Sequence, residues 1–397
     1  MVRFRVLTRM TAIKTRLSLI ALLAPSLCLA NGPLAVKAIN KLQLARPSET
    51  IELSAKDLAP LREADLGKIR VTDAQGKELL CQAVDTDYDE LHRADTLIFQ
   101  ADFAPGESKT FTVTTGDKRK YVKTDFKAYG RFVRERFDDF AWENDRIASR
   151  TYGKALETWK GEPLTSSAID VWSKRTPRMV IDEWYMADNY HVDAGEGADF
   201  YSAGASRGGG GNGLWAADRL WVSGNFAHSR VLANGPIRVL FELVYDEFDV
   251  NGTKVSEVKR IALDAGSHFN HFRSVYTTAS DAPLITGIGL KKVQREVTDF
   301  NAAQGWFAKW EPVEKNAGQQ GLAIIVSPEL QPKIAADERN LLLLAPAPGN
   351  VADYWAGFGW DRAGQFTNFA AWKAHVDEFA RRLRSPIEIV ISPAPAK

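Results

Sequence analysis

The chain has 397 residues, two to three times the roughly 100–150 of a typical single domain, so one compact domain is a poor fit. Hydrophobic residues make up 45% and charged residues 25%, close to globular averages, which excludes a disordered chain, a collagen-like repeat and a multispanning membrane protein. The 51 Lys and Arg against 50 Asp and Glu give a net charge of +1, too even a balance to attract a polyanion, so nucleic acid is not an expected partner.

Residues 1–16 carry Arg3, Arg5, Arg9, Lys14 and Arg16 without an acid, and an apolar run from Leu17 to Leu29 ends at Ala30. That pattern predicts a secretory signal peptide over residues 1–30, cleaved after Ala30. The run falls short of the about 20 apolar residues a membrane span needs, so no membrane insertion is expected after cleavage. Bulky Leu27 ahead of Cys28 argues against a lipid anchor. The expected location is periplasmic or secreted. Cleavage leaves a net charge of −4 and one cysteine, Cys81, so an intramolecular disulfide is impossible and stability must come from a large core.

From residue 31 to 120 short alternating segments such as Thr50-Ile-Glu-Leu-Ser54, Thr96-Leu-Ile-Phe-Gln100 and Thr110-Phe-Thr-Val-Thr114 predict strands, separated by turns at Asp73-Ala-Gln-Gly76 and Pro105-Gly106; the product is a small β-sandwich. Residues 121–397 read as a larger antiparallel sandwich, with strands at Ile237 to Tyr245, Phe269 to Tyr276, Gly321 to Val326 and Ile387 to Ile391. One helix stands out, Asn368 to Arg384: Phe369, Trp372, Val376, Phe379 and Leu383 recur at helical spacing, three arginines fill the last turn, and Pro386 follows. No βαβ alternation is present. The expected class is all-β.

Three motifs are set aside. Gly208-Gly-Gly-Gly-Asn-Gly213 satisfies G-x-G-x-x-G but lacks a preceding buried strand and a following helix, so no nucleotide cofactor is expected. Asp85, Asp87 and Asp89 have calcium-loop spacing, but Glu90 replaces the required glycine and Thr96 the terminal glutamate. His268 and His271 would point to opposite faces of a strand.

The densest polar stretch is Tyr190-His-Val-Asp-Ala-Gly-Glu-Gly-Ala-Asp-Phe-Tyr201, followed by Arg207 and a glycine run. Glycines here let backbone bend or approach a ligand closely, and loops on a rigid β scaffold tend to carry function. A solvated acidic surface loop is the alternative. A second cluster holds Trp142, Glu143, Asn144, Asp145, Arg150 and Tyr152. Six of the 11 Trp lie between residues 142 and 221, Trp215 among them. Aromatic faces stack on sugar rings while arginine, amide and acid groups bind hydroxyls and carboxylates, so part of this set suits a carbohydrate groove and the rest a core.

Trp142-Glu-Asn-Asp145, Arg150-x-Tyr152-Gly153, the Tyr190–Tyr201 stretch, Ser206-Arg-Gly-Gly-Gly210, Asn234-Gly-Pro236 and Gly359-Trp-Asp-Arg-Ala-Gly364 together resemble the secreted bacterial family called domain of unknown function 4861, over nearly all of the mature chain. The resemblance implies a galactose-mutarotase-like β-supersandwich and carbohydrate processing, with one branch associated with oligosaccharide dehydration in ulvan breakdown. The implied reaction is β-elimination on a terminal uronic acid of an oligosaccharide, yielding a 4,5-unsaturated uronate.

That chemistry needs a group that neutralises the carboxylate, a base for the C5 proton and an acid for the departing 4-hydroxyl. Arg207 and Arg150 are the candidate clamps, His191 the candidate base, and Tyr201 or Tyr190 the candidate acid, or the base where an adjacent arginine lowers the phenol's pKa. Trp142, Asn144, Tyr152, Glu196, Asp199 and Trp215 are candidate substrate contacts. Alternatively His191, Asp193 and Glu196 could hold a divalent cation doing the work of the clamp. A glycoside hydrolase or epimerase using Glu196 with Glu242 or Asp199, and a non-catalytic glycan-binding protein, are the other readings of the same residues.

Overall fold

The computed structural model describes residues 32–86, 92–160, 164–165, 167–187 and 189–395. The leader expected over 1–30 and most of the calcium-like acidic segment, Asp87 and Asp89 included, lie outside the described residues.

The all-β expectation holds. In the N-terminal region a four-stranded sheet runs in the order Glu388–Pro393, Leu34–Ile39, Ser108–Thr115, Ile69–Thr72, and a three-stranded sheet in the order Arg46–Ser54, Thr96–Phe103, Cys81–Val84. Alternation drives it: Val36, Ala38, Val71, Phe111 and Val113 from one sheet meet Ile51, Leu53, Leu97 and Phe99 from the other. Cys81 is a free, buried member of this core. The division at residue 120 needs one correction. Glu388–Pro393, the last strand of the chain, pairs along the whole of Leu34–Ile39, so the final residues complete the N-terminal sandwich instead of belonging to the larger one.

The larger unit is built on an eight-stranded antiparallel sheet, in the order His228–Asn234, Arg238–Val250, Thr253–Asp264, Phe269–Thr278, Val351–Trp360, Gln319–Ile325, Trp306–Pro312, Val297–Asn301. Two five-stranded sheets accompany it. One contains Gly209–Ala216, Ile285–Lys291 and Asn340–Pro346; the other runs Gly197–Ala198, Asp170–Lys174, Ala148–Thr151, Asp139–Asn144, Ala128–Val133. A parallel bridge between Ile169 and Gly208 joins them. Phe140, Trp142, Phe241, Ile261, Ile288, Leu343 and Tyr354 share the common core.

The glycine run is part of the strand Gly209–Ala216. Its reason is packing: a Cβ on Gly210 would lie 2.3 Å from the Ala356 methyl of the facing sheet. The expected helix spans Phe369–Arg384, capped by the Asn368 side chain accepting from the Ala371 amide, and buries Trp372, Val376 and Ala380 on the outer face of the eight-stranded sheet. No described helix is long and apolar enough to cross a membrane.

Candidate active site around Tyr190 and His191

The sheet from Ala128 to Ala198 brings four separated segments to one place. Asp139, Arg150 and Asp170 sit on adjacent strands, with Arg150 directly opposite Asp170 in the register. Asp199 follows the edge strand Gly197–Ala198, which approaches its neighbour so closely that a Cβ on Gly197 would meet the Ser173 carbonyl oxygen at 2.0 Å. Arg150 is thereby ringed by carboxylates. Its Nη2 lies 2.9 Å from Asp199 Oδ2, its Nε 3.0 Å from Asp170 Oδ2 and its Nη1 3.4 Å from Asp139 Oδ2. The Tyr152 hydroxyl donates to Asp170 at 2.6 Å and the Tyr185 hydroxyl to Asp139 at 3.1 Å.

Burying three acids around one arginine is costly unless protons rebalance the charge. Burial pushes the Asp139 carboxyl up to about 7, and burial together with the neighbouring Asp170 charge holds Asp199 well above the usual carboxylate range. Burial works against the Arg150 charge, but Asp199 and Asp170 outweigh it and keep the guanidinium protonated. Asp139, Asp170 and Asp199 each keep one buried oxygen without a hydrogen-bond partner. Perturbed, under-satisfied acids of this kind are a mark of functional sites.

The cluster reaches the surface through Tyr190 and His191. Tyr190 Oη accepts from Arg150 Nη1 at 3.0 Å and from Arg136 Nε at 2.9 Å, and its ring stacks on Trp172. The His191 ring lies 4.4 Å from that of Tyr190, its side chain 40% exposed, and its Nδ1 is 2.9 Å from the Asp199 carbonyl oxygen. A carbonyl only accepts, so Nδ1 carries the proton and Nε2 keeps its lone pair. Burial, then the Arg150 and Lys315 charges, lower the imidazole below its ordinary 6.5 despite the Asp199 carbonyl, so the ring is neutral near pH 7. Arg136 places its guanidinium 5.2 Å from the Trp159 ring centre, and Phe137 stacks on Trp159 at 4.6 Å while remaining 41% exposed. Phe137 and Asp138 both adopt positive φ, 48° and 66°, a strained backbone for such residues that turns the phenyl outward.

Of the residues singled out in the sequence, the structure brings together Tyr190, His191, Arg150, Tyr152 and Asp199. The others go elsewhere. Arg207 is 1% exposed, points between the sheets and donates to Ser167 Oγ and the Asn212 carbonyl; it cannot be a substrate clamp beside Arg150. Arg150, 3% exposed, braces the cluster and does not face solvent. Tyr201 turns into the core, its hydroxyl buried without a partner, which removes it as the acid. Trp142 is a core residue donating to Asn270 Oδ1 at 2.7 Å, and Asn144 is spent on backbone, binding the Asp264 and Ser267 carbonyls and the Arg146 and Ile147 amides. Trp215 lies in the hairpin formed by Gly209–Ala216 and Arg219–Trp221, in the other five-stranded sheet.

The cation set does not assemble either. Asp193 pairs with Arg175 at 2.5 Å and Glu196 with Arg178 at 2.8 Å, while His191 faces Asp199; among the described residues no group of three His, Cys, Asp or Glu side chains is placed to hold a metal ion. Glu242, the other half of a hydrolase-type pair, is held between Arg230 and Arg260 on the eight-stranded sheet. Sequence reasoning missed Arg136, Asp139, Asp170 and Tyr185, and noted Trp172 only as one of the six clustered tryptophans. Asp139 and Asp170 read as ordinary strand residues until Arg150 joins them.

The family described as Domain of unknown function (DUF4861) matches residues 39–389. This chain belongs to that family. It is 34% identical over 368 residues to Uncharacterized protein P7 of Formosa agariphila, covering 89% of this chain and 92% of that protein. Among solved structures it is similar to an alpha-mannosidase from Enterococcus faecalis V583 (10% identity, TM-score 0.43, 92% of this chain, 46% of the other). A glycosyl hydrolase family 38 protein from Enterococcus faecalis gives 11% identity and a TM-score of 0.44, over 91% of this chain and 47% of the other. The chain spans about half the length of these solved structures.

Proposed function

We propose that this DUF4861 member is a carbohydrate-active lyase that dehydrates the terminal uronic acid of an oligosaccharide. The observation that carries the reading is the part-exposed His191 ring, held through Nδ1 on the Asp199 carbonyl so that Nε2 keeps its lone pair, with its ring 4.4 Å from that of Tyr190. In the proposed step Nε2 takes the C5 proton, the C–H electron pair becomes the C4–C5 double bond, and the C4–O bond breaks. The departing oxygen takes the Tyr190 proton and leaves as water. Tyr190 Oη is flanked by two guanidinium N–H donors, which stabilise the oxygen once its proton is gone. Arg136, half-buried, replaces Arg207 as the group for the substrate carboxylate, and the exposed Phe137, backed by its stack on the half-buried Trp159, offers a platform for a sugar ring.

The reading agrees with the carbohydrate processing that the family resemblance implies, and a cleaved leader would place the enzyme in the periplasm or outside the cell. Incubation of the purified protein with uronate-terminated oligosaccharides, followed by ultraviolet absorbance and product mass, tests it. New absorbance with loss of one water is expected. Chain shortening with gain of water would show hydrolysis instead, and an unchanged mass would leave epimerisation or binding alone.

A further inference from the structure

Tyr190 and His191 are held by the five-stranded sheet that ends at Gly197–Ala198, but a turn of the eight-stranded sheet also reaches them. Residues 313–318 join its strands Trp306–Pro312 and Gln319–Ile325. Val313 and Ala317 anchor this turn, buried in one cluster with Ala198, Phe200 and Trp360. Ala198 and Phe200 flank Asp199, whose carbonyl holds the His191 ring. Trp360 Nε1 donates to the Ala317 carbonyl and Arg362 Nη2 to the Asn316 carbonyl, both at 2.7 Å. Between these anchors Lys315 and Asn316 adopt left-handed backbone, φ 56° and 55°, a conformation that costs residues bearing a side chain. The turn carries Lys315 onto the His191 loop, where its Nζ donates to the His191 carbonyl at 3.3 Å. Other cations around this loop are paired: Arg175 with Asp193, Arg178 with Glu196 and Lys291 with Glu314, while Arg150 is ringed by its three carboxylates. Lys315 is exposed, and among the described residues its ammonium has that one hydrogen bond and no carboxylate.

We propose that Lys315 is a substrate-binding residue of the His191 site that selects a uronic acid over a neutral sugar, taking one carboxylate oxygen from the His191 side while Arg136 takes the other from the Tyr190 side. The inference rests on the dehydration reading above. In that reaction the abstracted proton and the carboxylate share C5, so the carboxylate lies next to the base, and a cation beside His191 is placed to meet it. A lysine ammonium on its flexible stem suits this task as a point charge. Lys315 also acts on the base itself: burial, then the Arg150 and Lys315 charges, lower the imidazole, which keeps it neutral and ready to accept a proton. A carboxylate seated on Lys315 offsets that charge, so the bound substrate makes His191 the stronger base.

Calorimetric titration of the full-length protein and its Lys315→Met variant, each with a uronate-terminated oligosaccharide and with its carboxyl-reduced form, tests this beside an NMR titration of the His191 imidazole. Lys315→Met is expected to weaken binding of the uronate form about tenfold, to leave the reduced form unchanged and to raise the His191 pKa by about half a unit. Lys315→Arg is expected to recover most of the affinity, and thermal unfolding checks that the fold is kept. Unchanged uronate affinity in Lys315→Met, an equal loss for the reduced form, or a His191 pKa that does not move would overturn the proposal, and unsaturated product formed by the wild type would then leave the dehydration reading standing. Binding of the uronate form that depends on Lys315 without any unsaturated product would uphold the carboxylate contact and remove the dehydration reading. Failure of the wild type to bind the uronate form would overturn both.

Discussion

Two of the buried charge clusters in the larger unit, around Arg207 and around Arg150, differ in one respect. Around Arg207 the sandwich encloses Glu257, Lys259, Tyr245, Asn212 and Tyr276, none more than 3% exposed. Lys259 Nζ lies 3.4 Å from Glu257 and 4.8 Å from the centre of the Tyr245 ring, and Asn212 donates to Tyr276 Oη at 2.6 Å. Burial lowers Arg207 to about 10 and also lowers Lys259. The Arg150 cluster is as deeply buried at its centre, yet its hydrogen bonds continue outward to Tyr190, Arg136 and the 40%-exposed His191. What the Arg150 cluster has and the Arg207 cluster lacks is a hydrogen-bonded route from buried charge to half-buried side chains, Tyr190 and His191, and it is on that route that the proposed acid–base pair rests.

The comparison is broken most directly through Tyr190. Tyr190→Phe removes the proposed acid while keeping the ring on Trp172, and turnover is expected to fall by about 10²–10⁴ with the melting temperature little changed; steady-state rates beside thermal unfolding check it. Truncating the cations separates the two clusters. Arg150→Met strands buried carboxylates and is expected to cost about 3–5 kcal/mol as well as activity. Lys259→Met is expected to lower stability in chemical denaturation while leaving turnover per folded molecule intact, and loss of turnover there would put the sealed cluster into the mechanism.

A smaller effect follows from protonation of His191. A base lowered below 6.5 predicts that kcat/KM falls on the acid side with a midpoint under that value, about tenfold per pH unit. Asp139 gives the mildest signature. The folded protein keeps its proton up to about 7, whereas in the unfolded chain it is lost near 3.8. Between those values the folded state binds more protons, so this residue's contribution to stability declines as pH rises through the window. Asp139→Asn is expected to flatten that slope in denaturation curves measured from pH 4 to 7.

The fold was largely readable because β alternation and the helical spacing of Trp372, Val376 and Phe379 are local patterns. The last strand was recognised as a strand, but its partner, Leu34–Ile39, lies some 350 residues away, and no local pattern reports such a pairing. The site was half readable. Tyr190, His191 and Asp199 share one dense loop and drew attention by composition. Asp139 and Asp170 are single acids in otherwise apolar strands, and only register aligns them with Arg150. Arg207 misled for the converse reason: next to a polar loop in sequence, it is carried by the Ile169–Gly208 bridge into the space between sheets.

The most direct test of the account is the rate at which His191→Ala forms unsaturated product from a uronate-terminated oligosaccharide that the wild-type protein dehydrates. A drop of about 10²–10⁴ in kcat, with the fold intact, is the predicted result. Turnover within a few fold of wild type would contradict it and move the chemistry away from the loop that carries Tyr190 and His191.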